Sequence, residues 1–268
     1  MATFILVHGA FQGSFVWKET AALLESQGHE TLAPGLTGLG DRSHLLAEGQ
    51  SLAGYVDDVQ NAVAFAMAGP CVFVGHSYSG LTATAAAARL PRLARAVLYV
   101  DALIPEPGRS FRDMAGPEFA KTLAAHVHDR WLVRPWPLAA FGVAGHAKAP
   151  AFAARLTSTP LAAFTDPFAF GLPDPALPAG FIRCTGNPNP FIEAQAAKAR
   201  ASGWPVTLLD SGHAPMITAP EALARAILTT AHLMGVLGDA APAPAPTLPE
   251  GLLRTHPAQP GELPGGAS

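Results

Sequence analysis

The chain has 268 residues, of which 49% are hydrophobic and only 14% charged. That length and balance suit one large domain with a substantial core and exclude a solvated or low-complexity scaffold. A formal net charge of −3 gives no electrostatic footing for nucleic acid or an anionic membrane, both of which select dense lysine and arginine clusters; the partner this leaves is a small, fairly apolar molecule, bound by a monomer or a homodimer.

Apolar runs at 4–7, 30–33, 72–74, 96–100, 181–184 and 206–209 alternate with stretches of helical period. This is the pattern of an α/β fold, a mainly parallel six-stranded sheet flanked by helices. The first run follows an N-terminus without a basic leader and is too short for a membrane span, so a cytoplasmic chain is expected. Helices are expected at 16–27, 52–67, 80–90, 191–201 and 222–237. In the second of these, Leu52, Tyr55, Val56, Val59, Val63 and Met67 recur at helical spacing, Ser51 stands at the N-cap and Gly69-Pro70 stops the run. The alternation fails between 102 and 179, where prolines crowd with Phe111, Trp131, Trp136, Phe141, Phe152, Phe164, Phe168 and Phe170. That stretch reads as a cap inserted into a core made of residues 1–101 and 180–238, with most of its aromatics filling its own small core. Residues 239–268, rich in proline, alanine and glycine, read as a disordered tail. Cys71 and Cys184 each fall inside a strand-like run and read as reduced core residues, with neither a disulfide nor a metal site expected.

Three motifs carry chemistry. Val72-Phe73-Val74 runs into Gly75-His76-Ser77-Tyr78-Ser79-Gly80 and then a helix. It resembles a nucleophile elbow, in which a strained serine projects at the C-terminal edge of the sheet and small neighbours let strand and helix approach. Ser79 stands where a second glycine is usual. After the first strand, His8-Gly9-Ala10-Phe11-Gln12-Gly13 resembles an oxyanion loop, with the N–H groups of Ala10 and Tyr78 as the two donors and His8 as a brace. After the last strand, Asp210-Ser211-Gly212-His213 places a histidine on the same edge as the elbow, which makes His213 the general base. His126, His128, His146 and His232 lie in cap or helix segments and are expected to face solvent. The acid is less determined. Asn187 occupies the loop after the penultimate strand, where a carboxylate is usual, and Asp101 ends the preceding strand. Asp101 is favoured because a carboxylate stabilises the imidazolium better than an amide; Asn187 is the alternative, and Asp210 stands too close to His213 in sequence.

With the elbow, Val7-His8-Gly9-Ala10-Phe11, Tyr99-Val100-Asp101-Ala102-Leu103-Ile104-Pro105 and Ser211-Gly212-His213-Ala214-Pro215-Met216 in this order, the chain resembles the plant methylesterase and hydroxynitrile lyase branch of the α/β-hydrolases and its bacterial esterase relatives, over residues 3–237. The resemblance implies a cofactor-free α/β-hydrolase fold, a cap over the site and small carboxylic esters as substrates. Resembling lyases carry threonine after the first histidine and lysine after the catalytic one; here those positions hold Gly9 and Ala214, which favours hydrolysis. A serine nucleophile argues against the dehalogenase and epoxide-hydrolase branches, which need aspartate there. The expected reaction is acyl transfer to Ser77, with Phe11 and Trp131 in an apolar pocket. A lyase or other cofactor-free reaction and a ligand-binding pseudoenzyme are the alternatives.

Overall fold

In the computed structural model, which describes residues 1–237, the chain runs β1 (Thr3–Val7), α1 (Lys18–Glu25), β2 (Glu30–Leu32), α2 (Leu52–Phe65), β3 (Cys71–His76), α3 (Ser79–Arg89) and β4 (Ala94–Val100). A long segment follows with α4 (Phe111–His126), β5 (Val127–His128), β6 (Leu132–Val133), α5 (Ala149–Ala153), β7 (Thr159–Pro160) and α6 (Ala162–Thr165). The chain then returns through β8 (Ala179–Cys184), α7 (Pro190–Ala201), β9 (Val206–Leu209), α8 (Pro215–Thr218) and α9 (Pro220–Leu233). The tail expected at 239–268 lies outside the described residues.

Six strands form one sheet in the order β2-β1-β3-β4-β8-β9, every neighbouring pair parallel. Its inner strands are covered on both faces, which is why they read as unbroken apolar runs rather than as alternating ones: all of β3 is buried. From β1 the chain first steps outward to β2 and then crosses to β3 on the other side of β1. The order reverses there, and the crevice above the carboxyl ends of β1 and β3 is where open parallel sheets hold ligands. The loops after these two strands are the ones that carry His8-Gly9-Ala10 and Ser77.

α2 departs from expectation at both ends. Ser51 is the N-cap but its side chain makes no capping bond, and the helix stops at Phe65. Met67, expected on the buried face, has φ 48° and is exposed. The helix is held by Tyr55, Val56, Val59 and Val63 instead, all buried.

Between β4 and β8, the strands β5, β6 and β7 make a small antiparallel sheet. α4 opens with a reciprocal capping box between Ser110 and Asp113 and kinks at Gly116, whose φ of 82° precedes Pro117. The aromatics of this segment do not close on themselves alone. Phe164 stacks on Phe11 at 5.8 Å and meets Tyr78 at 6.0 Å, while Phe111 stacks on Phe191 at 5.8 Å. These rings bridge to the loops above the main sheet and form one wall of the cavity there. Cys71 and Cys184 are free and buried, and no described helix is long and apolar enough to cross a membrane.

Candidate active site

Ser77 falls in the sharp turn between β3 and α3 with φ 55°, a left-handed conformation that costs a non-glycine residue on the order of 1–3 kcal/mol. The surrounding bonds hold it there: its N–H donates to Val100 O at 3.1 Å, and its carbonyl accepts from Gly80 and Leu103 N–H at 3.2 and 3.1 Å. The flanking glycines are needed for the close approach of chain to chain. A Cβ at Gly75 would run into the Ser79 carbonyl, and one at Gly80 into the Leu103 carbonyl. Ser79 is tolerated in the second glycine's place because its hydroxyl donates to His8 O at 2.5 Å, which ties the elbow to the loop after β1.

His213 reaches the serine from the loop after β9. Its Nε2 lies 2.9 Å from Ser77 Oγ, and its Nδ1 lies 2.8 Å from Asp101 Oδ2. Asp101 ends β4 with φ 46° and is fully buried. Asp210, in contrast, is exposed. The choice between Asp101 and Asn187 turns out not to be exclusive: Asn187 donates to Asp101 Oδ2 at 2.6 Å, with its amide nitrogen 3.2 Å from His213 Nδ1. Asp101 Oδ1 accepts from Cys184 N–H at 3.0 Å and from Arg183 Nη1 at 3.1 Å. Burial alone would raise the Asp101 carboxyl, but hydrogen bonds from His213, Asn187 and Cys184 outweigh it and hold the group below its ordinary value.

Arg183 belongs to the same cluster without being among the residues the motifs point to, although the sequence carries a signal for it. An arginine inside the apolar run Phe181-Ile182-Arg183-Cys184 has to meet a countercharge if it is buried, and Asp101 is the strand-end acid next door. Arg183 also donates through Nε to Glu193 at 2.9 Å and through Nη2 to Asn187 O at 2.6 Å, and it bonds the Cys184 carbonyl.

Two more histidines brace the site. His76 Nε2 donates to the carbonyl of His213 at 2.7 Å, and burial pushes its pKa down to about 3, so the ring is neutral. His8 donates through Nδ1 to Gly9 O at 3.0 Å and accepts Leu36 N–H at Nε2, 3.2 Å away; burial lowers it to about 4. In the loop after β1, Gly9 N–H goes to Gln12 and Phe11 N–H to Thr159 Oγ1 at 2.8 Å. Among the described residues the N–H groups of Ala10 and Tyr78 have no protein acceptor. Both residues line the cavity over Ser77.

That cavity has a volume of about 540 Å³, and both Ser77 and His213 open onto it. Phe11, Phe111, Phe119, Trp136, Phe164 and Phe191 give it aromatic walls. Phe11 is therefore at the pocket, but Trp131 is not among its lining residues; Trp136, edge-on to Phe11 at 5.2 Å, takes the place expected of Trp131. His126, expected to face solvent, is half-buried on the pocket wall with its ring 4.6 Å from that of Trp136. The loop bearing His213 is braced from the inserted segment: Ala214 N–H donates to Phe141 O at 2.8 Å, and Gly142 and Gly212 pack backbone to backbone. No group of three or more metal-ligating side chains occurs among the described residues.

Known proteins resemble this chain in sequence and in fold. A carbendazim hydrolyzing esterase of Nocardioides sp. (strain SG-4G) is 31% identical over 84% of this chain and 97% of its own. Methyl jasmonate esterase 1 of Vitis vinifera is 30% identical over 39% of this chain and 40% of its own, so that match spans less than half of either protein. Among solved structures, an extracellular α/β-hydrolase from a Paenibacillus species superposes with a TM-score of 0.76 at 18% identity, covering 86% of this chain and 99% of that one. A pyrethroid hydrolase from Sphingobium faniae JZ-2 gives 0.70 at 24% identity over 86% and 97%. The model of the alpha/beta hydrolase family matches residues 4–226, and the chain belongs to that family.

Proposed function

We propose that this protein is a serine esterase that cleaves small, predominantly aromatic carboxylic esters through an acyl-enzyme. The observation that carries the reading is the unbroken relay from Ser77 Oγ through His213 to buried Asp101, at 2.9 and 2.8 Å. His213 takes the Ser77 proton as the oxygen attacks the ester carbonyl, and Asp101 holds the ring with Nδ1–H toward itself so that Nε2 is free to accept. The developing alkoxide is received by the free N–H groups of Ala10 and Tyr78, a contribution on the order of 10²–10³ in rate per donor. His213 then returns the proton to the leaving alcohol, and water, activated by the same imidazole, releases the acid. No step calls for a metal or an organic cofactor.

The aromatic walls, together with the relatives named for carbendazim and methyl jasmonate, support an aromatic or cyclic substrate. Residues 102–179 act as a cap in this reading, because they supply Phe111, Trp136 and Phe164 to the pocket. Cys71 and Cys184, both free and buried, support a reducing, cytoplasmic setting. A panel of phenyl, benzyl and linear alkyl esters, with carbendazim and methyl jasmonate added, tests the reading by kcat/KM. Preference for the ring-bearing esters by about tenfold or more is expected. Cyanohydrin cleavage without hydrolysis of any ester would contradict it.

A further inference from the structure

We propose that Asn187 is a positioning residue that acts on Asp101, fixing which carboxylate oxygen faces His213 and keeping that carboxylate charged. The proposal rests on the Ser77–His213–Asp101 reading and goes one layer behind it.

The argument starts from the count of donors around one buried carboxylate. Oδ1 accepts from Arg183 Nη1 and Cys184 N–H, and Oδ2 accepts from Asn187 Nδ2 and His213 Nδ1, at 3.1, 3.0, 2.6 and 2.8 Å. Both oxygens are thus saturated, and rotation of the carboxylate would break all four bonds together. The 3.2 Å approach of the Asn187 amide nitrogen to His213 Nδ1 is not a second hydrogen bond. An amide N–H₂ has only protons to offer, and in the working tautomer Nδ1 also carries a proton. Asn187 therefore serves Asp101 and not the imidazole. Its own loop is held in turn by Arg183, whose Nη2 donates to Asn187 O at 2.6 Å. One guanidinium accordingly neutralises the buried acid and fixes the backbone of the residue that completes its cradle.

The groups facing Asp101 are His213 after β9, Arg183 and the Cys184 thiol on β8, Asn187 in the following loop, and His76 on β3, with Glu193 of α7 behind Arg183. Only one of them is a cation at neutral pH with His213 unprotonated. A second carboxylate at position 187 would face Asp101 at hydrogen-bonding distance, and two such groups share one proton until the pH is high enough to remove it. With the shared proton on residue 187 the bond to Asp101 Oδ2 is kept and the pair carries one negative charge, as in the wild type; once that proton is lost, no donor remains at 187 and two anions face each other.

The test compares wild type, Asn187→Asp, Asn187→Leu and Asp101→Asn, all checked for folding by circular dichroism, with kcat and KM for p-nitrophenyl butyrate measured from pH 5 to 9. For Asn187→Asp, whose carboxyl can donate to Asp101 only while it holds the shared proton, kcat relative to wild type is expected to fall by about tenfold or more from pH 5 to pH 9, with KM within about twofold. For Asn187→Leu, which has no donor at any pH, a fall in kcat of about tenfold across the range is expected. If Asp101→Asn is inactive but kcat stays within about twofold of wild type at every pH in both Asn187 variants, the proposal fails and the triad stands. If Asp101→Asn keeps kcat within about tenfold of wild type, the triad reading itself fails. An Asn187→Asp protein more active than wild type at every pH would assign the acid's position to residue 187 and overturn the proposal.

Discussion

Ser79 marks the one departure of the elbow from its usual composition, and its hydroxyl explains why the departure is tolerated. It sits fully buried and donates to the His8 carbonyl, joining the turn that bears Ser77 to the loop that bears Ala10. Ser79→Ala leaves that acceptor unsatisfied, for which a stability loss of about 1–3 kcal/mol is expected in urea denaturation, with kcat lowered less than tenfold. An unchanged midpoint would mean the bond contributes nothing. Much at this scale was legible in the sequence. Ser77 and His213 each stand where a buried strand meets small residues, and chain order alone places both on one sheet edge. Asp101 and Asn187 were readable only as alternatives, because a linear string does not show that two loops converge on one carboxylate. Arg183 is marked in the sequence only by a charge within an apolar run, which shows the need for a buried countercharge but not which acid supplies it.

At the scale of elements, the inner strands were readable because strands buried on both faces are continuous apolar runs, whereas the edge strands β2 and β9 are only partly buried; the structure moves the expected ends of the six by at most two residues. The segment between β4 and β8 was legible only as a break in that pattern. Its short helices and two-residue strands carry no lasting period, and what decides the facing of Trp131 and Trp136 is the antiparallel pairing of β5, β6 and β7, a tertiary outcome. Leu161 N–H donates to the Trp131 carbonyl at 2.7 Å, so Trp131 serves the backbone of this small sheet, whereas Trp136 turns its ring to Phe11, Phe119 and Phe164. Trp136→Ala is expected to raise KM for aromatic esters about tenfold while kcat changes within about threefold, since the loss falls on binding shared by ground and transition states. Trp131→Ala is expected to leave KM unchanged. Equal effects from the two substitutions would contradict this assignment of the pocket wall.

For the whole molecule, burying neutral histidines makes stability depend on pH. His8 and His76 are lowered by burial from 6.5 to about 4 and about 3 in the folded protein. Between those values and 6.5 the unfolded chain binds protons that the folded one does not, so stability falls as pH drops through this window and is restored as pH rises. The two together contribute a slope of up to about 2.7 kcal/mol per pH unit, opposed in part by Asp58, whose carboxyl is raised by burial. Urea denaturation at pH 7, 6 and 5 is expected to show this decline; flat stability across the range would contradict neutral burial of the two rings. Their placement is also functional, because His8 ties the loop of Ala10 to Leu36 while His76 holds the backbone of His213, so loss of these contacts in acid would loosen both halves of the site at once.

The most direct test of the central claim is to mix wild type and Ser77→Ala with p-nitrophenyl butyrate and follow release of p-nitrophenolate from the first milliseconds, with intact-mass analysis of the quenched protein. The account predicts steady turnover by wild type, a butyryl adduct on Ser77 wherever deacylation is slow enough to trap it, and a fall in turnover of about 10⁴-fold or more in the variant. Turnover retained by Ser77→Ala, or a wild type no faster than that variant, would contradict the claim that Ser77 is the nucleophile of an esterase.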